Sequence, residues 1–188
     1  MEKDRKKEVI NVCLDHFISN GLSETTTRSL SSALKLQNAG LYYYFANKDE
    51  AVILCAEEAA LRLENCLIAP AMRELSDPDA LMKRLRSRAD EMAPTMRFFI
   101  SVCVSNQYKD AMKPALDRLS ERYEHYAAMF ADKLKCDVDV IAPYMCIGIT
   151  AVTNYMIFAE EAYILPQIDM IKARLIELQS KSSQREER

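Results

Sequence analysis

A chain of 188 residues is long enough for one domain or for a small module on a larger one, and 49% hydrophobic with 28% charged residues excludes disordered, collagen-like and mucin-like sequence. Only 3 glycines and 6 prolines leave too few turn formers for an all-β sandwich or barrel, while Ala, Leu, Met, Glu, Lys and Arg are abundant, so the fold class is all-α. The formal charge of −3 lacks the basic excess of a bulk nucleic-acid binder, which leaves such contacts to a local site.

Apolar residues recurring every three or four positions predict about nine helices, at 3–20, 27–34, 38–44, 48–69, 78–93, 95–107, 111–135, 140–161 and 166–180. Proline supplies the punctuation. Asp77-Pro78 and Leu165-Pro166 read as helix starts, Pro70 and Pro94 as breaks, and Pro114 and Pro143 as first-turn residues behind Asp110 and Asp139 caps. Two short helices follow the first long one and everything after them is long. This pattern predicts a three-helix head over residues 1–47 on a larger C-terminal helical bundle over residues 48–188.

The six cysteines lie at least ten residues apart with no CxxC pair, and the chain opens on a charged segment instead of a signal peptide. They read as buried free thiols in a reducing compartment, and the expected location is cytoplasmic. His16 and His125 have no ligand constellation around them, so no metal or cofactor is expected. Val140–Ala159 is a twenty-residue stretch without a charge, yet Tyr144, Thr150, Thr153, Asn154 and Tyr155 make it polar for a membrane span. The preferred reading is a helix covered on nearly all sides, partly by a second subunit, with Ala142, Gly148 and Ala151 permitting close approach. Residues 140–161 and 166–180 are thus the expected homodimer contact.

Residues 21–50, GLSETTTRSLSSALKLQNAGLYYYFANKDE, carry the strongest functional signal. Gly21 suits the end of the first helix, Thr25-Thr26 supplies an N-cap for the second, and Asn47 with Glu50 three residues on has capping-box spacing. Two short helices joined by a tight turn and braced by a third make a helix-turn-helix head. If Leu41 and Phe45 anchor the third helix, Gln37, Asn38, Gly40 and Tyr43 face away from the core. Gln and Asn pair with adenine in the major groove, and Gly40 allows backbone to approach DNA closely. The hydroxyls of Tyr42, Tyr43, Thr26 and Thr27 suit phosphate oxygens, with Arg28 and Lys48 adding charge. Residues 1–48 hold seven Lys and Arg against five Asp and Glu, a net of +2 within an acidic chain.

Residues 9–50 resemble the DNA-binding domain of TetR-family transcriptional regulators. The likeness rests on the glycine after the first helix, the Thr-Thr pair, the small and apolar residues of the second helix, and Leu41-Tyr42-Tyr43-Tyr44-Phe45-Ala46-Asn47-Lys48-Asp49-Glu50. Lys35 stands where the family usually has a glycine in the turn, and Gln37 where it usually has a serine. The resemblance implies a two-domain homodimer, a ligand pocket in the C-terminal helices, and a four-helix bundle made by the last two long helices across the dimer axis.

The expected function is that of a sequence-specific, DNA-binding regulator, specifically a ligand-responsive repressor that binds a palindromic operator as a dimer. Met92, Met96, Phe99, Cys103, Tyr123, Tyr126, Phe130, Tyr144 and Met145 are the candidate lining of a site for a mostly apolar effector. One alternative is a DNA-binding or scaffold protein without an effector. The other is a catalytic helical bundle, against which stands the lack of a di-iron Glu-x-x-His pair, a nucleophile motif or a glycine-rich phosphate loop. No enzymatic activity is expected.

Overall fold

Helix α1 (Glu2–Asn20) stops where Gly21 turns to a φ of 85°, its N–H donating to Phe17 O at 2.9 Å. In this computed structural model, which describes residues 2–74 and 77–186, α2 (Thr27–Ala33) starts from a reciprocal cap. The Ser29 N–H donates to Thr26 Oγ1 at 3.1 Å and the Thr26 N–H to Ser29 Oγ at 3.0 Å. Lys35 takes the turn at a φ of 55° and α3 (Asn38–Leu41) is a single helical turn. After it, the Tyr44 and Phe45 N–H groups still donate to Leu41 O, so the expected helix over 38–44 closes as a hydrogen-bonded turn.

Then come α4 (Lys48–Glu74), α5 (Pro78–Val104), α6 (Lys109–Leu134), α7 (Val138–Phe158), a 3-10 turn at Glu161–Tyr163 and α8 (Leu165–Glu186). Among the described residues there are eight α-helices and no strand, an all-α fold. Asp77 Oδ1 accepts from the Ala80 N–H at 3.0 Å, the cap that its place before Pro78 predicts.

Four of the proline readings need correction. Pro70 lies within α4, and Pro94 lies within α5, so the two helices expected at 78–93 and 95–107 are one. A mid-helix proline forfeits one hydrogen bond and crowds the carbonyl four residues earlier, at about 3 kcal/mol. Buried Met92 and Met96, one on each side, supply the packing that keeps α5 going through Pro94. Pro114 and Pro143 sit two residues deeper than expected, past the first turn, because α6 and α7 begin at Lys109 and Val138 and the α7 cap position is Asp137, not Asp139.

Few glycines leave other residues to take left-handed positions. Lys35, Lys135 and Ala159 do so, at φ 55°, 53° and 54°. An L side chain there costs roughly 1–2 kcal/mol.

The chain forms two compact units. The first comprises residues up to Leu63 and Pro94–Ala115. In it α1 packs on α2 and α2 on α3, around buried Val9, Cys13, Leu14, Phe17, Leu30, Leu41, Phe45 and Val52. The Phe17 and Phe98 rings stack at 5.7 Å, and Arg62 holds Asp15 at 2.7 Å and Asn11 at 3.0 Å.

The second unit comprises Glu64–Ala93 and the residues from Leu116 on. Its core is Ala71, Leu81, Met82, Phe130, Ala131, Leu134, Ile141, Leu175 and Leu178. Here α7 packs on α8. A Cβ at Gly148 would meet Ile171 Cδ1 at 3.2 Å, so this glycine serves packing within the chain. By length and composition α7 is able to cross a membrane. Within one chain 22% of its most apolar stretch is buried.

All six cysteines are free, but they are not all buried. Cys13 and Cys55 are, Cys66, Cys103 and Cys136 are half-buried, and Cys146 is exposed. Burial pushes the Cys13 thiol up to about 12 and the Cys103 thiol to about 11, and raises Cys55 further.

Candidate nucleic-acid interface

Leu41 and Phe45, each 2% exposed, fix α3 and the turn behind it to the first unit's core. With those two positions inward, the pitch of the turn sends Tyr42 and Tyr43 outward, 56% and 71% exposed. Tyr44 is half-buried and meets the Tyr43 ring edge-on at 5.0 Å. Gln37 occupies the α3 cap position, exposed and without a side-chain cap bond, so its amide is not spent on the helix it precedes. The Asn38 side chain lies outside the described residues. A Cβ at Gly40 would sit 3.4 Å from Leu36 Cβ, which gives this glycine a packing neighbour of its own in the turn.

Thr26 and Arg28 are exposed and Thr27 half-buried at the start of α2. Thr26 is already engaged as the cap, while its hydroxyl keeps a donor for a phosphate. Lys48 is half-buried with Nζ on Leu22 O at 3.0 Å, a role in the fold that spacing did not reveal. Beside it Asn47 Oδ1 accepts from the Glu50 N–H at 2.8 Å, and Glu50 Oε2 accepts from the Ala46 N–H, one residue before the expected donor. His16 is structural: its Nε2 lies 3.1 Å from Ser29 Oγ, joining α1 to α2.

The candidate effector residues divide between the units. Met96, Phe99 and Cys103 belong to the first; Met92, Tyr123, Tyr126, Phe130, Tyr144 and Met145 belong to the second. Phe130 is in the second unit's core cluster, with Tyr126, Tyr144 and Met145 packed against it. The Tyr123 and Tyr126 hydroxyls of this candidate lining already donate within the protein, Tyr123 to Ala142 O at 2.6 Å and Tyr126 to Glu64 Oε1. Tyr126 is raised above the usual phenol range, first by that bond and then by burial. Tyr123 is raised chiefly by burial.

Glu64 is the polar residue that periodicity missed. It is 7% exposed, and its Oε1 also accepts from Arg122 Nη2. The available signal was a carboxylate four residues after Ala60 and three before Leu67, inside the apolar stripe of α4. Among the described residues no group of three His, Cys, Asp or Glu is placed to hold a metal ion.

The model of the bacterial regulatory proteins of the tetR family matches residues 10–52, which contain α2, α3 and the turn between them. No curated protein sequence matches the chain. A tetR-family transcriptional regulator from Streptomyces coelicolor shares the fold at a TM-score of 0.59 and 15% identity, over 94% of this chain and 79% of that one. The TetR-family regulator PfmR from Thermus thermophilus does so at 0.52 and 18%, over 92% of this chain and 97% of that one. Residues 10–52 thus carry a head that matches the tetR-family model of bacterial regulatory proteins, on a chain that shares the fold of TetR-family transcriptional regulators.

Proposed function

We propose that the chain is an effector-responsive repressor that binds a palindromic operator as a homodimer. In this assignment residues 1–47 are the DNA-binding module and residues 48–188 serve effector binding and dimerisation, without catalysis. The observation that carries the DNA-reading surface is the pairing of buried Leu41 and Phe45 with outward Gln37, Tyr42 and Tyr43. The role of base reader is assigned to Gln37, Asn38 and Gly40, and that of phosphate contact to Thr26, Thr27, Arg28, Tyr42, Tyr43 and Lys48. Two such heads related by a two-fold axis read half-sites about one helical turn apart.

Dimerisation through α7 and α8 is supported by the apolar side chains those helices expose: Ile149, Phe158, Leu165, Met170 and Ile176 are 38–61% exposed. A second copy covers such a surface symmetrically. The effector site is assigned to the second unit, around Met92, Tyr123, Tyr126, Phe130, Tyr144 and Met145. An effector that prefers the DNA-incompetent conformer lowers operator affinity by its difference in affinity for the two states.

The deciding experiment is titration of the purified protein against DNA flanking its own gene, followed by challenge with a small-molecule library. A footprint with two-fold symmetry that a compound releases is the expected result. Binding that no compound alters leaves the DNA-binding regulator without an effector.

A further inference from the structure

We propose that the buried carboxylate of Glu64 is the polar anchor of the effector site and selects a ligand bearing a protonated amine on an apolar body. The inference rests on the second unit being the effector-binding part of the chain. An ionised carboxylate accepts up to about four hydrogen bonds, and both donors here, the Arg122 guanidinium and the Tyr126 hydroxyl, are on Oε1. Oε2 is buried, and among the described residues it meets no donor. Leaving a buried acceptor unmet costs about 1–3 kcal/mol, more when it is charged, and folded proteins rarely leave one so.

Arg122 offsets the charge only in part. Its side chain is 46% exposed against 6% for that of Glu64, so the guanidinium shares its charge with water while the carboxylate does not. The open position at Glu64 therefore calls for positive charge and an N–H donor. Tyr126, which holds Glu64, packs with Tyr144 and Met145 against the second unit's core cluster, supplying apolar and aromatic surface for the rest of such a ligand and ring faces suited to a cation. A carboxylate or phosphate ligand meets an unpaired oxygen of its own sign.

The test is calorimetric titration of the full-length protein with three probes on one skeleton, phenylbutylamine, phenylbutanol and phenylbutyrate. Methionine-methyl NMR would report the site through Met145. The amine is expected to bind about tenfold more tightly than the alcohol, with the acid weakest and the Met145 signal shifted. Glu64→Gln, checked for folding by circular dichroism, is expected to abolish the preference while alcohol binding remains. The comparison among probes on the unsubstituted protein stands even if that variant fails to fold.

Equal binding of amine and alcohol, or a preference that survives Glu64→Gln, overturns the anchor and leaves the effector reading intact. Oε2 is then met by water alone. If neither these probes nor a wider apolar library binds, the anchor and the effector reading fall together.

Discussion

The Tyr108 hydroxyl donates to Asp49 Oδ1 at 2.8 Å, and Gln107 Nε2 reaches the same oxygen at 3.0 Å. Asp49 is the second residue of α4 and follows Lys48, whose ammonium holds Leu22 O. The first turn of α4 is thus tied both to the loop between α1 and α2 and to the connection between α5 and α6. Both ties lie in the first unit, the one that holds the proposed DNA-reading turn.

Tyr108→Phe is expected to cost about 1 kcal/mol in chemical denaturation, the net worth of one hydrogen bond in a buried site. The same contact predicts an alkaline signature. Burial, then the bond to Asp49, pushes the Tyr108 phenol up to about 12 from an ordinary 10.0. A group whose folded pKa is raised stabilises fully below its unfolded pKa, and that contribution is lost as pH climbs through the folded one. The stability gap between the parent and Tyr108→Phe should therefore hold at neutral pH and shrink between about pH 10 and 12. A gap that stays constant across that window would contradict it.

Lys35→Gly should stabilise the head by about 1 kcal/mol, since the φ of 55° strains lysine and suits glycine. Partial offset comes from the extra freedom that glycine gives the unfolded chain. Urea denaturation showing a lower midpoint for the variant would count against the strain.

Base readers and phosphate clamps should part company on mutation. Gln37→Ala is expected to lower specificity by about 1–3 kcal/mol at one base position per half-site, and Arg28→Ala to weaken all sequences alike with a flatter salt dependence. Lys48→Ala should do as Arg28→Ala does and also destabilise the fold, because it removes the bond to Leu22 O. Operator titrations at several salt concentrations, with single base changes, would reveal the split. Identical behaviour of the Gln37 and Arg28 variants would mean the sorting is wrong.

The head was the most legible part of the sequence because its signals are local and agree with one another. Gly21 takes its left-handed turn, Thr26 caps α2, and Leu41 with Phe45 four residues on is buried. Even the awkward Lys35 reports a left-handed residue where a glycine fits better. Pro94 was misread because its local penalty argues for a break, whereas the buried side chains around it decide in favour of one helix. Glu64 escaped notice because a charged residue in an apolar stripe is normally solvated. Its burial depends on Arg122 and Tyr126, 58 and 62 residues away, which periodicity does not connect.

The proposed α7 and α8 dimer makes the last prediction. Phe158 closes α7 at 61% exposure and Ile176 sits on α8 at 50%, with neither side chain needed for the second unit's own core cluster. Burying side chains of this size is worth roughly 1.5–3 kcal/mol each, and a two-fold interface counts every residue twice. If α7 and α8 form the proposed interface, Phe158→Glu and Ile176→Glu should convert a dimeric parent to monomer at micromolar concentration in light scattering. Helix content by circular dichroism should hardly change, because these positions face away from the unit's own core. Operator affinity should fall steeply, since a lone head retains half of the base contacts. A parent protein that scatters as a monomer, or variants that remain dimeric and bind as before, would place the interface elsewhere than on α7 and α8.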